Sequence, residues 1–391
     1  MNARQHESHQ DLLDHFDSAK VACASLDAII VPNGRPVAYL KEAIKAAKLV
    51  DAHLVLLCSM RANASSAALA AKQGDVRVTA IDVDFLPERV VPDFATDKLL
   101  RLGRFHRPVD TSLKRNLGLL LASFAGWKRI LFLDDDIKLP NPGDLTAAAG
   151  LLDDHPVVGL ANAGMPDNSV VCHALRDVGD DQDVFIGGGA LVVGEAAFSS
   201  FFPNIYNEDW FFLLDGLKLR PSAVTGTAWQ YNYDPYNDRR ARGEELGDTL
   251  AEGVFGLLDN GFGLSDADNA YWSDFLPERR RIISTTIDRV RSSDIEPGQK
   301  ARMVEALKAS IGRSHLITPE LCVQYLRAWQ SDCLRWQRHI RELQRDRRDG
   351  TGIDSALATL GIGHIAQPGI DGRISTGSRR RLPAARPAVP A

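Results

Sequence analysis

Hydrophobic and polar positions along this chain fall into blocks rather than alternating residue by residue. Short apolar runs, ended by Pro, Asn, Gly or Asp, occupy 26–33 (LDAIIVPN), 52–60 (AHLVLLCSM), 76–84 (VRVTAIDVD) and 129–137 (RILFLDDDI). Runs of this length without a polar face predict strands buried on both sides. Helical spacing fills the gaps. In 35–51, Val37, Leu40, Ile44 and Ala47 share a face. Residues 65–74 predict a helix closed by Gly74, and 110–127 one capped by Asp110, Thr111 or Ser112 and stopped at Gly126. Residues 1–25, polar and then mildly amphipathic, predict a short lead-in helix. Strand and helix thus alternate through residue 137, which predicts an α/β fold with a mainly parallel sheet flanked by helices.

Beyond residue 140 the rhythm changes. The stretch 184–194 (VFIGGGALVVG) reads as a strand interrupted by three glycines. Residues 201–220 are aromatic-rich and lead into a helix with acids at its start, and 227–240 (TAWQYNYDPYNDRR) read as an aromatic, polar loop. From 243 to 349 the period is helical, with Tyr325, Trp329, Cys333, Trp336, Ile340 and Leu343 forming a packing stripe. The expected organisation is a lead-in (1–25), an α/β domain (26–242), a helical C-terminal region (243–365) and a disordered tail (366–391) rich in Pro, Ala and Arg.

Composition narrows the function. The chain has 391 residues, 45% hydrophobic and 25% charged, enough for a sizeable core. A net charge of -5 argues against a nucleic-acid binder. The five cysteines form no CxxC pair, which predicts free thiols in a reducing compartment. No apolar run nears the roughly 20 residues of a membrane span, and the N-terminus lacks an apolar signal core. The expectation is a cytoplasmic protein with no transmembrane segment.

The chemistry concentrates at Asp134, Asp135 and Asp136, three like charges at the mouth of a core strand. Crowding and desolvation make that costly. A divalent cation, Mn²⁺ or Mg²⁺, would offset the cost, since hard cations prefer carboxylate oxygens. On an extended segment Asp134 and Asp136 project to one side and Asp135 to the other. A metal bridging a diphosphate would then use Asp136, with Asp134 reaching either a ribose hydroxyl or, through water, the metal. The alternative is a solvated acidic turn or a helix N-cap. A calcium loop of the EF-hand kind lacks its glycine and glutamate, and zinc lacks nearby Cys or His.

RILFLDDDI resembles the DxD region of GT-A fold nucleotide-sugar glycosyltransferases. LDAIIVPNGRP resembles the first strand of family 2-like members, DTSLKRNLGLLLA the helix before the DxD strand, and IGGGALVV with YNEDWFF the later small-residue strand and the ED motif. The ordered matches span about residues 26–235. The resemblance implies that Pro32 and Asn33 border the base or ribose, that Asp82 or Asp84 accepts a hydrogen bond from the base, and that Lys114 and Arg115 lie near the nucleotide or its diphosphate. Asp134 and Asp136 would be the metal-binding pair, with Asp135 beside the donor. Gly187, Gly188 and Gly189 would let backbone approach the sugar or acceptor, with a β-bulge as the alternative. Asp209, or else Glu208, would be the general base, desolvated by Tyr206, Trp210, Phe211 and Phe212, with a favourable helix N-terminus as the alternative. One departure is plain: 227–240 offers no His as a further metal ligand, leaving Gln230, Asp234, Asp238 or water. The implied activity is a metal-dependent, inverting transfer from a nucleoside diphosphate sugar to an unknown hydroxyl acceptor. Retaining transfer, nucleotidyl transfer and a catalytically degenerate binding module are the alternatives. The helical region would shape the acceptor pocket or form a homodimer interface.

Overall fold

A computed structural model describes residues 8–103, 105–166, 168–216, 218–345 and 350–368. In chain order the elements are β1 (Asp14–Phe16), β2 (Ala28–Asn33), α1 (Lys41–Leu49), β3 (His53–Cys58), α2 (Ala64–Gln73), β4 (Val78–Asp82), α3 (Ala95–Leu102), α4 (Thr111–Ala125), β5 (Arg129–Leu133) and β6 (Ile137–Lys138). There follow α5 (Gly143–Gly150), β7 (Val157–Gly164), α6 (Val170–Asp177), β8 (Ala190–Gly194), α7 (Glu208–Phe212) and β9 (Ser222–Gln230). Helices α8 (Asp238–Asp259), α9 (Asn269–Ser292), α10 (Pro297–Ser314), α11 (Pro319–Arg345) and α12 (Ile353–Thr359), then β10 (Ala366–Pro368), complete the described residues.

The strands form one sheet in the order β1-β9-β7-β8-β5-β2-β3-β4-β10, with β6 on β9. Strands β5, β2, β3 and β4 run parallel, while β8 is antiparallel to both β5 and β7. The chain leaves β2 toward β3 and β4, then returns to place β5 on the other side of β2. The gap between β2 and β5 is therefore the topological switch point, where open α/β sheets leave a crevice at the carboxyl ends of their strands.

Two layers bury the central strands, which explains their unbroken apolar runs. Ile29, Val31, Leu54, Leu56, Leu131 and Leu133 face one layer, shared with the alanines of α1, α2 and α5. Ala28, Ile30, Val55, Leu57, Ile130 and Phe132 face the other, shared with α4, α8 and α11. The expected stripe on α11 is a packing face: Tyr325, Trp329, Trp336 and Ile340 are buried in that second layer, with Cys333 and Leu343 against it.

Several boundaries move. In place of the expected lead-in helix, β1 lies between two single 3-10 turns, Gln10–Leu12 and Ser18–Lys20, and pairs in parallel with β9 at Asp14↔Ala223. All its residues are exposed, so no apolar pattern betrays an edge strand. The expected strand at 184–194 begins only at Ala190, and β9 takes the first four residues of the expected loop 227–240. The boundary expected after residue 242 falls inside α8. Ala366–Pro368 pair antiparallel with β4, and residues 369–391, the rest of the expected disordered tail, lie outside the described residues. All five cysteines are free thiols. No described helix is long and apolar enough to cross a membrane.

Candidate functional site

Loops after β2 and β5 build the crevice. Asn33, fully buried at the end of β2, accepts a hydrogen bond on Oδ1 from the Arg35 amide (3.3 Å). After β5 the backbone turns at once: the Asp134 amide donates to the Gly189 carbonyl (2.9 Å), and the Ile137 amide donates back to the Asp134 carbonyl (3.3 Å). Strand β6 then pairs with β9, and the Tyr231 amide donates to the Asp136 carbonyl (3.1 Å). The acid triplet thus lies on a tight turn, not on an extended segment. The alternation expected of an extended strand does not apply there, and all three carboxylates line the same cleft.

Each carboxylate has its own partners. Asp135 is 7% exposed; its Oδ2 accepts from the Gly34 amide (3.0 Å) and the Arg35 amide (3.1 Å), and its Oδ1 pairs with the Arg35 guanidinium. It joins the β2 and β5 loops and lines the cleft between them. The other arm of Arg35 donates to Asp136 Oδ2 (2.9 Å). Asp134 faces Arg115, whose Nη2 lies 3.1 Å from both carboxylate oxygens and whose Nη1 donates to Glu208 Oε1 (2.8 Å). The Arg115 guanidinium also sits over the Phe202 ring, 5.4 Å from its centroid.

Burial pushes the Asp134 carboxyl up to about 7 against the pull of Arg115, with Asp136 and Asp135 pushing the same way. For Arg115 burial favours proton loss, and Asp134, Glu208 and Asp209 outweigh it, so its proton is held more tightly than usual. The two tendencies pull Asp134 in opposite directions. Its side chain is 29% exposed, so water moderates the burial, and the ionised pair prevails.

The remaining predicted residues divide. Lys114, the fourth residue of α4, is buried and donates to the Asn33 carbonyl (3.0 Å) and Ser59 Oγ (2.7 Å), and pairs with Asp110 (3.0 Å). It braces the ends of β2 and β3. Asp82 Oδ1 accepts from the Ala64 amide (2.8 Å) at the start of α2, and Asp84 is exposed in the next turn. Neither of these two lines the cleft. Pro32, Arg35, Met60, Lys114 and the three aspartates do, around a volume of about 350 Å³.

Glycines 187–189 precede β8 in a loop. A side chain at Gly188 would bring its Cβ to 2.4 Å from Arg115 Nη1, so the residue is small to seat the guanidinium. The Gly188 amide donates to Asp209 Oδ2 (2.5 Å), and a Cβ at Gly189 would touch Ile137 at 3.0 Å. Glu208 and Asp209 open α7 after Asn207, which takes the left-handed conformation (φ 61°). The aromatics expected around Asp209 each have a ring or cation partner of their own. Phe212 stacks on Phe202, Phe211 meets Tyr325 and Trp329, Trp210 joins Phe185 and Phe255, and Tyr206 lies under Arg107.

Of the further ligand candidates, Gln230 is buried opposite Ile137 beside the turn. Asp234 pairs with Arg302 (2.7 Å) and Asp238 with Arg242 (2.5 Å), both at the surface. Among the described residues no group of three or more His, Cys, Asp or Glu is placed to hold a metal. The oxygen-only donor set of Asp134 and Asp136 fits a hard cation that takes its other ligands from phosphate oxygens and water. Sequence reasoning missed Arg35. The available signal was its place: an arginine on the loop of the strand that borders the acid-bearing one.

No protein-family model and no curated protein matches the chain. Among solved structures it is similar to the mannosyltransferase PcManGT from Pyrobaculum calidifontis in complex with GDP-Man and Mn²⁺, at 10% identity and a TM-score of 0.34, covering 88% of this chain and 90% of that one. A likeness of that degree carries no weight, and the geometry above stands alone.

Proposed function

We propose that the chain is a glycosyltransferase of the GT-A type, moving a sugar from a nucleoside diphosphate donor to a hydroxyl acceptor. The observation that carries this reading is the position of Asp134–Asp136, on the turn after β5, at the switch point of a mainly parallel sheet and lining a cleft with the loop after β2. Asp134 and Asp136 would hold Mn²⁺ or Mg²⁺, which as a Lewis acid stabilises the departing diphosphate. Pro32 and the β2 loop bound the nucleotide side of the cleft. Arg115, fixed by Asp134 and Glu208, keeps a positive charge beside the leaving group. Asp209, oriented by the Gly188 amide, takes the acceptor proton. As the acceptor oxygen bonds to the anomeric carbon, the bond from that carbon to the phosphate oxygen breaks, and its electron pair leaves with the diphosphate. Such a base contributes about 10² to 10⁴ in rate. The outcome is inversion.

The pairing of every triplet acid with an arginine favours one other reading, a degenerate module that binds nucleotide without transfer. A panel of nucleotide sugars with Mn²⁺ separates the two, read as thermal shift and as nucleoside diphosphate release. The enzyme shows both, and Asp209→Ala keeps the shift while losing release. A shift with no release from the wild type, whatever acceptor is supplied, is the module's signature and ends the transferase reading.

A further inference from the structure

Arg35 and Arg115 hold neighbouring carboxylates in different ways. The Arg115 side chain is 3% exposed, enclosed between Asp134, Glu208 and Phe202. The Arg35 side chain is 36% exposed at the cleft wall, over the half-exposed ring of Tyr39. A pair in contact with water exchanges partners cheaply, whereas an enclosed one does not.

The acids held by Arg35 also differ. Asp135 keeps two backbone amides if the guanidinium leaves. Asp136 has Arg35 as its only side-chain partner among the described residues. The Arg35 amide stays bound to Asp135 and Asn33, so the side chain can swing while the loop holds. Guanidinium groups bind phosphate in a two-pronged fashion, and hard divalent cations favour carboxylate.

We propose that Arg35 is a displaceable counter-ion: a divalent cation competes with it for Asp136, and the freed guanidinium transfers to the diphosphate of the same ligand. The cleft that both line provides the place for that exchange. The inference rests on the function proposed above and adds a coupling by which cation and diphosphate bind better together than apart.

Calorimetric titration with Mn²⁺ alone, and then with uridine or guanosine diphosphate in saturating Mn²⁺, tests it on wild type, Arg35→Gln and Arg35→Lys. Arg35→Gln is expected to bind Mn²⁺ alone at least tenfold more tightly and the nucleoside diphosphate at least tenfold more weakly. Arg35→Lys, a point charge unable to span both carboxylates, is expected to fall between, and it carries the test if the glutamine variant does not fold. Unchanged or weaker Mn²⁺ binding by the variants, with wild-type binding of Mn²⁺ and nucleotide intact, overturns the competition and leaves the proposed function standing. Absence of Mn²⁺ and nucleotide binding in wild type and variants alike overturns both.

Discussion

Two guanidinium groups and four carboxylates meet at the ends of β2 and β5, and the enclosed pair of contacts is the more consequential. Replacing Arg115 by Leu strands Asp134 and Glu208 without their cation. Breaking a buried pair from one side typically costs about 3–5 kcal/mol. Urea denaturation of Arg115→Leu should show a loss of that order, partly recovered when Glu208→Gln is added. A loss under about 1 kcal/mol would mean the site tolerates its bare acids. Gly188→Ala acts on the same guanidinium, since the new methyl carbon would sit 2.4 Å from Arg115 Nη1. Overpacking of this kind costs about 1–3 kcal/mol. The expected result is lower stability together with weaker nucleotide binding, and a variant that matches wild type in both would show that Arg115 moves freely.

At the scale of elements, the sequence was most legible where one physical demand dominated. Strands β2, β3, β4 and β5 are apolar on both faces because α1, α2 and α5 cover one side and α4, α8 and α11 the other, and their runs were readable for that reason. Strand β1 was not, since Asp14, His15 and Phe16 are all exposed and join the sheet through backbone pairing and contacts with His155 and Thr225 rather than through an apolar face. Asp134 to Asp136 were found as a cluster, but their directions depended on a turn closed by the Asp134 carbonyl, which leaves no periodic trace. The partner of Asp135 and Asp136 lies about a hundred residues earlier at Arg35, a pairing that only strand order reveals. Helix α4 offers a test at this level. A Cβ on Gly118 would lie 2.9 Å from Phe132 and 3.0 Å from Ile30, so α4 packs close on β2 and β5. Gly118→Val should lift the helix that carries Lys114 and Arg115, lowering stability by about 1–3 kcal/mol and weakening nucleotide binding in step. Stability lost with binding unchanged would sever α4 packing from the site.

Across the whole molecule, sheet and helical region share one core, because Trp329 and Trp336 of α11 belong to the same apolar layer as Ile30 and Phe132. His9 adds a charge-dependent tie. It is buried against Phe185, Trp210 and Phe255, pairs with Asp259 through Nδ1, and places Nε2 3.6 Å from Glu252. Burial alone would lower its pKa; Asp259 and Glu252 outweigh that and raise it to about 9 from 6.5. The folded state therefore holds the proton more tightly, so the His9 contribution is complete below pH 6.5 and is lost as pH rises through 9. Wild type should lose on the order of 3 kcal/mol more than His9→Gln across that window. Parallel pH profiles for the two proteins would remove His9 as the cause. The account as a whole turns on whether the acid-lined cleft between β2 and β5 binds a cation with a nucleoside diphosphate. Calorimetry of a nucleoside diphosphate against wild type and Asp136→Ala, with and without Mn²⁺, addresses this directly: wild type should bind only with the metal, and Asp136→Ala should lose that dependence together with the affinity. Equal, metal-dependent binding by both proteins would place the ligand elsewhere and contradict the account.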